Sequence, residues 1–356
     1  MDNQEILRRR LHNQHLTRPE TSDPAAEVSW FGAMQSQDYG NAKWALGQRV
    51  RGATNAGIEQ AFNAGEILRT HVLRPTWHFV ARADIRWLLA LSGPRVHAVN
   101  AYYYRMNGLD AALFKRINAA LASALRGGNF LTRAELVHVL NKAGIERKGL
   151  GLAYVVSHAE LDGLICSGPR RGKQHTYALL EERAPHAKML APDVALAELT
   201  KRYFTSHGPA MVKDYVWWSG LTAADAKRGL EIVGAELAQE TVEGKEFWFK
   251  DVPPRPASRA AHLLPNLDEY TVAYKERGAY YPSEQIANPN ARENEPLNHV
   301  ILMHGRIAGM WKPTLKKDSL LISSRFISAP APEDYETFRK AATRLGKFRG
   351  LPVSVE

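Results

Sequence analysis

Apolar residues recur at helical spacing through most of the first 250 positions, and short strand-like runs dominate the last hundred. Gln4–His15 reads as an arginine-rich helix. Pro24 to about Met34 reads as a second, with Val28, Phe31 and Met34 on one face. The stretch Thr54–Gly65 offers a threonine N-cap, apolar Ile58, Ala61 and Phe62, and a glycine stop. The ILRTHVLRPTWHFV stretch that follows (Ile67–Val80) is β-prone despite Pro75. Helix, helix, then an extended segment is the order that a winged helix requires.

That order recurs twice. Asp110–Arg126 is amphipathic through Leu113, Ile117, Leu121 and Leu125, and Thr132 to Glu135 forms a capping box that opens a helix through Asn141. A third helix, Leu150–Asp162, leads into Leu164–Cys166, a basic glycine-bearing loop (Gly168–Lys173) and the strand-like His175–Leu179. Pro192–Ser206, Met211–Trp218 and Thr222–Val233 then predict three helices, and Glu236–Val242 with Glu246–Lys250 a hairpin across Glu243-Gly244. The Pro-rich Val252–Ser258 marks a boundary. Beyond it, His262–Leu264, Val300–Met303, Arg306–Trp311 and Ser319–Ser323 read as strands, closed by a helix over Glu333–Leu345. The fold class expected is mainly α with short β-hairpins. Its units are 1–108, 109–190 and 191–251, each a winged helix, followed by a β-rich region over 259–356.

Charge adds a partner to this picture. Lys and Arg outnumber Asp and Glu by 47 to 37, a formal net charge of +10. Such an excess attracts polyanions, nucleic acid above all; the alternatives are general solubility or an anionic small substrate. One cysteine, Cys166, excludes an internal disulfide framework and any multi-cysteine metal site. No apolar run is long enough to span a membrane, and the N-terminus lacks the apolar core of a secretory signal. The cytoplasm is the expected compartment.

Three stretches are candidates for chemistry. Gln35 and Gln37 stand two apart where the helical pattern runs out, and Asp38–Asn41 reads as a loop. On an extended segment both amides share a face and can converge on one cleft; the alternative is ordinary surface polarity. Arg69–Phe79 interleaves Arg69, His71, Arg74, Thr76, Trp77 and His78 with apolar residues, more polar groups than a core strand carries unless one face lines a site; the alternative is a structural role, with His78 hydrogen-bonded in a packed core. His71 and His78 lack further ligand-type neighbours, so no metal is expected. Asp268 and Glu269 are adjacent carboxylates among aromatics, either a hydrolytic pair or partners of Lys275 and Arg277. The loop cations Arg170, Arg171 and Lys173 suit phosphates, with a solvated turn as the alternative. No phosphate-binding glycine loop, dinucleotide fingerprint, nucleophile elbow or zinc-protease motif is present.

Taken together, Gln35-Ser36-Gln37, RTHVLRPTWHFV, LDEYTVAYKER and VILMHGRIAGMW resemble the winged-helix DNA glycosylase family, over about residues 4–350. The QxQ motif places the resemblance with the AlkZ-like branch; the related YcaQ-like (AlkX) branch has aspartate at the second position. Ser36 departs from the usual aliphatic middle residue. The resemblance implies three tandem winged helices in a C-shaped molecule with a basic concave face. It also implies excision of N7-alkylated purines from double-stranded DNA, including bulky adducts and interstrand crosslinks, by a monomer without a cofactor. Gln35 and Gln37 would orient the nucleophilic water, with Asp38 stabilising positive charge and Arg74, Thr76, Trp77 and His78 lining the cleft. Arg69, Arg170, Arg171, Lys173 and Lys312 would meet DNA, as would the hairpin tip His304-Gly305-Arg306. With no lysine beside the motif in sequence, a monofunctional enzyme is expected. A winged-helix regulator without chemistry is the competing reading.

Overall fold

The computed structural model describes residues 1–253, 259–281 and 298–356; positions 254–258 of the expected Pro-rich boundary lie outside them. Helix α1 (Asn3–Asn13) opens on Asp2, whose side chain accepts the Glu5 N–H. Helix α2 (Pro24–Phe31) is capped by Asp23, has Pro24 in its first turn, and stops at Gly32 (φ +80°), short of the expected Met34. Strand β1 (Met34–Gln35) follows. Asp38 then starts a helix where a loop was expected: its carboxylate accepts the Asn41 N–H and caps α3 (Tyr39–Gly47). Glycines at 40 and 47 and a polar first turn hide this helix in the sequence. Helix α4 (Asn55–Ala64) has the expected Thr54 cap and Gly65 stop. Strands β2 (Ile67–Val72) and β3 (Arg74–Ala81) form a hairpin turning at Leu73, and β1 adds to it in the order β1-β3-β2.

The next element was not foreseen. Helix α5 (Ile85–Met106) runs 22 residues straight through Ser92-Gly93-Pro94, residues that argue against a helix interior. The glycine has a packing reason: a Cβ at Gly93 would sit 3.1 Å from the Leu161 carbonyl of a crossing helix. That helix is α8 (Gly149–Leu161), which follows α6 (Ala111–Leu125), β4 (Leu131–Thr132) and α7 (Arg133–Lys142). Both halves of the Thr132–Glu135 capping box are formed. With β5 (Ile165–Ser167) and β6 (Thr176–Leu179), this segment repeats the first: helix, strand, two helices, hairpin, in the sheet order β4-β6-β5. Its apolar cluster, including Phe114, Ile117, Leu121, Leu136 and Val155, lies wholly within 104–179.

A short turn of helix, α9 (Leu180–Arg183), precedes α10 (Pro192–Ser206), α11 (Val212–Ser219) and α12 (Ala223–Val233). The hairpin β7 (Ala238–Val242) and β8 (Lys245–Phe249) gains an antiparallel bridge from Ala210 to Trp248. The last region contains β9 (His262–Leu264), the one-turn α13 (Glu269–Val272), β10 (Val300–Met303), β11 (Arg306–Leu315), β12 (Leu320–Phe326), α14 (Pro332–Arg349) and β13 (Val353–Val355). Its sheet has the order β13-β12-β11-β10-β9, with only β12 and β13 parallel.

Two large apolar clusters join distant segments. One gathers α2–α4 residues such as Phe31, Trp44 and Phe62 against Ile301, Trp311, Phe338 and Phe348 of the last region. The other joins α1 and the β2–β3 hairpin to α5, α10–α12 and Tyr270–Tyr280. Between them lies Arg49, fully buried at the end of α3. Its guanidinium forks onto Asp268 at 2.7 and 2.9 Å, and its remaining N–H groups reach the Gln14 and Ala45 carbonyls and Gln14 Oε1. Burial disfavours the guanidinium charge, but Asp268 more than offsets this and raises its pKa. Removing one member of such a pair strands the other charge, at a cost of about 3–5 kcal/mol. Arg49→Met is therefore expected to lower unfolding free energy by about that amount in urea titrations, with Arg49→Lys failing to restore it because lysine cannot fork.

Candidate active site

Gln35 and Gln37 stand on the edge strand and its extension. Met34 pairs with Phe79 and Gln35 with His78, and the Ser36 N–H donates to the Trp77 carbonyl at 2.8 Å. The extended backbone sends both glutamine side chains toward β3, where they meet consecutive residues. Gln35 Nε2 donates to Thr76 Oγ1 at 3.4 Å, and Gln37 Oε1 accepts the Trp77 N–H at 3.2 Å. Gln35 is 9% exposed and Ser36 fully buried, whereas Gln37 is open to solvent. Both amides thus reach β3, but only Gln37 lines the open cleft beside the motif; Gln35, Arg74, Thr76, Trp77 and His78 are not among its lining residues.

Cross-strand pairing sorts the RTHVLRPTWHFV polar groups onto two faces. Gln35, His78 and Thr70 form one row. Arg69, His71 and Trp77 lie on the other, where the guanidinium covers the indole at 4.3 Å and the imidazole packs against it at 4.4 Å. Arg69, expected on DNA, is buried and turned inward. Its Nε donates to the Ser36 carbonyl at 3.0 Å and an Nη to the Gln37 carbonyl at 3.4 Å, clamping the motif's backbone. His71 is held by Glu160, a structural pairing.

Behind Gln35 stands Glu269. One carboxylate oxygen accepts the Gln35 N–H at 2.6 Å; the other accepts Trp218 Nε1–H at 2.9 Å and lies 3.4 Å from His207 Nε2. Burial works against its charged form, but the bonds from His207 and the Gln35 N–H outweigh that and hold its pKa at about 2. The suggested pairing of Asp268 and Glu269 with Lys275 and Arg277 is therefore replaced: Asp268 serves Arg49, and Glu269 serves Gln35. At 0% and 1% exposure neither carboxylate is open to a substrate, so the hydrolytic pair does not form. Glu269 was visible as an acidic residue among aromatics, but its partner is 234 residues away and nothing local announces it.

Burial, followed by the Arg74 charge, pushes His78 down to about 3. The neutral ring donates from Nδ1 to the Thr76 carbonyl at 3.0 Å. Arg74 is likewise pushed down by burial, opposed by Glu269. Among the described residues nothing satisfies Gln35 Oε1, Ser36 Oγ, His78 Nε2, or Arg74 Nε and Nη2. Unpartnered buried polar atoms are uncommon in folded proteins, and here five fall within one motif and the hairpin beside it. The far end of that hairpin is set by Gly220 (φ +69°), where a Cβ would collide with the Leu73 carbonyl and sit 3.2 Å from Arg74 Cγ.

Gln37 also lines an open cleft of about 790 Å³ with Asp38, Lys43, Glu59, Arg170 and Arg349. Asp38 faces it while its oxygens bind the Asn41 backbone and side-chain amides. Lys43, remote from the motif in sequence pattern, is brought beside it by α3 and is ion-paired to Glu59 at 2.6 Å. Glu59 also accepts the Tyr39 hydroxyl at 3.0 Å.

The loop expected to offer three free cations offers fewer. Arg170 folds back over the Tyr39 ring at 4.7 Å and binds its own loop's carbonyls, while Arg171 is exposed but paired with Glu135 at 2.7 Å. Lys173 is exposed. The tip at His304-Gly305 docks inward: Tyr270 hydroxyl donates to the Gly305 carbonyl at 2.9 Å, and a Cβ there would sit 2.8 Å from Leu7 Cβ. His304 is exposed against Asp334, and Arg306 and Lys312 are exposed along β11. The freer loop lies at the opposite end of β11, through exposed Leu315, Lys316 and Lys317. Away from these elements, His97 and His158 both pair with Asp162 at 3.1 Å, clamping α5 to α8.

Paired amides on an edge strand, backed by a buried carboxylate and flanked by basic loops, occur here in a chain of DNA glycosylase type. Residues 28–348 match the family model of the AlkZ-like DNA glycosylases, and the chain belongs to that family. It is 21% identical over 371 residues to an interstrand DNA cross-link repair glycosylase of Streptomyces sahachiroi, covering 97% of each chain. The solved structure of Streptomyces sahachiroi DNA glycosylase AlkZ superposes with a TM-score of 0.79 at 20% identity, over the full length of both, and shows the fold. Among the described residues no helix is long and apolar enough to cross a membrane.

The buried histidines set a pH response. Burial, as the chief cause, pushes His78 and His262 down to about 3 from an ordinary value of 6.5. Below pH 6.5 the unfolded chain takes up protons that the folded chain refuses. Their contribution is complete above 6.5 and is lost as pH falls toward the folded values, at up to about 1.4 kcal/mol per pH unit for each. Urea midpoints are expected to fall from pH 7 to pH 5, and a His262→Asn variant to show a shallower fall.

Proposed function

We propose that this chain hydrolyses the N-glycosidic bond of N7-alkylated purines in double-stranded DNA, leaving an abasic site without strand cleavage. The observation that carries this reading is the convergence of two glutamine amides on Thr76 and Trp77. A glutamine amide does not titrate near neutrality, so the pair is unsuited to general-base work. It is suited to holding a water: Gln35 Oε1 accepts from it, and the Gln37 amide nitrogen donates to it. An N7-alkylated purine already carries positive charge and departs readily, so an aligned water at the sugar C1′ is the main requirement. The Glu269 charge behind the strand favours the positive charge that develops on the sugar.

The relative named as a cross-link repair glycosylase supports a substrate range that includes interstrand crosslinks, and the open cleft beside Gln37 supports room for bulky adducts. On this reading, three tandem winged helices (1–108, 109–190 and 191–251) and the 259–356 region present a basic face to the duplex. The protein acts as a monomer near the nucleoid. Lys43 lines the motif's cleft, and its ion pair with Glu59 supports a structural rather than a Schiff-base role, hence a monofunctional enzyme.

An oligonucleotide carrying one N7-methylguanine is expected to become alkali-labile on incubation with the protein. Gln35→Ala and Gln37→Ala should each slow base release on the order of 10²-fold, and borohydride should trap no covalent complex. Absence of abasic product from both methylated and crosslinked DNA overturns the reading in favour of a non-catalytic DNA binder.

Backbone contact has its own signature. Lys173→Gln and Lys312→Gln are each expected to weaken binding to all duplexes alike and to flatten the log–log salt dependence by about 0.9 per lost phosphate contact. Arg170→Gln, whose guanidinium is already engaged, should leave the slope unchanged.

A further inference from the structure

We infer that Glu269 is a positioning residue for the reaction, setting where the Gln35 amide stands; the inference rests on the glycosylase reading above. Strand β1 is two residues long, on a sheet edge, and short edge strands fray. Its N–H at Gln35 has no strand beyond it to donate to. Glu269 takes that place, accepting the N–H at 2.6 Å from a site 1% exposed. The same carboxylate is fixed from its other end by Trp218 Nε1–H at 2.9 Å and by His207 at 3.4 Å, residues of α11 and of the end of α10. Three segments far apart in the chain thus meet at two oxygen atoms.

Only an ionised carboxylate fits this position. Both ends of the fork face N–H donors, and glutamine supplies an acceptor at one end alone. The turn that presents Glu269 is itself held under strain: Leu267 adopts φ +63°, a conformation costly for a leucine. Its neighbour Asp268 is locked by Arg49. A buried charge on a strained turn, with no cation bonded to it directly, is not a cheap way to stabilise a core; apolar packing serves that purpose better. What the arrangement secures is the height of the Gln35 backbone relative to β3, and through it the hydrogen bond from Gln35 Nε2 to Thr76 and the direction of the unpartnered Gln35 Oε1.

The test compares wild type with Glu269→Gln, which keeps shape but loses one acceptor, and Glu269→Asp, which keeps charge but retracts it by one methylene. Three quantities are read on the full chain: single-turnover base release from N7-methylguanine duplex, the Kd for that duplex, and amide hydrogen exchange of residues 33–37. Both variants are expected to bind DNA within twofold of wild type, to release base on the order of 10²-fold more slowly, and to lose exchange protection locally at 33–37. Unchanged protection there, or a rate within threefold of wild type despite lost protection, overturns the proposal. So does a loss of protection spread over the whole chain in both variants, which marks a purely structural role. If wild type releases no base, the glycosylase reading falls on its own, and the exchange comparison still decides whether Glu269 holds Gln35.

Discussion

The buried pair between Arg49 and Asp268 is the constraint on which the site depends. Taking both ions out of water is costly, and the cost is offset only because the guanidinium fork and the carboxylate meet squarely and every remaining N–H of Arg49 finds an oxygen. A pairing with so little tolerance for displacement fixes the end of α3 against the turn before α13. Helix α3 is capped by Asp38, the residue that follows the QxQ motif, and α13 begins at Glu269. Both sides of the candidate site are therefore measured from the same ion pair, and the Gln35 strand is caught between them.

Around that frame the site separates shape from charge. The β3 side chains beside the two amides are neutral, a threonine and an imidazole kept unprotonated by burial, whereas the cleft beside Gln37 is lined by Asp38, Lys43, Glu59, Arg170 and Arg349. Of the ionised groups near them, Glu269 is buried behind Gln35 and bonded to Trp218 and His207, and Arg74 is part-buried. Such a layout suits a reaction in which a cationic base leaves and positive charge passes to the sugar, since fixed dipoles and remote charges need not reorganise as it proceeds. Ser36 is the exception. Its hydroxyl is buried without a partner among the described residues, and nothing in the structure explains why a serine stands there.

Local signals were legible from sequence. Helix α10 was bounded correctly by its first-turn proline, and the caps at Thr54 and Thr132 formed as read, because capping is settled within four residues. Apart from the one-turn α9 and α13, the helices that went unread were hidden by residues that local rules punish. Helix α3 is short and glycine-flanked, and α5 carries Ser92-Gly93-Pro94, of which Gly93 lies close against the Leu161 carbonyl. That Gln35 and Gln37 both reach β3 followed from strand geometry alone. The support behind them did not, since Glu269, Trp218 and His207 come from other segments and their composition is ordinary core composition. Basic loops were over-read for the same reason: the sequence shows that Arg69 and Arg170 are charged, not that a neighbouring indole or phenol already covers them.

Gly220 carries a consequence for how such chemistry can be moved between proteins. The turn after α11 presses directly on the tip of the β2–β3 hairpin, and only a residue without a side chain permits that approach. The hairpin bearing Thr76, Trp77 and His78 is thus shaped from outside by the third helical segment, just as the strand bearing Gln35 is anchored from outside by the last. A graft of residues 34–81 onto a foreign scaffold would transfer both amides and leave behind the surfaces that aim them. The motif is portable; the alignment belongs to the whole chain.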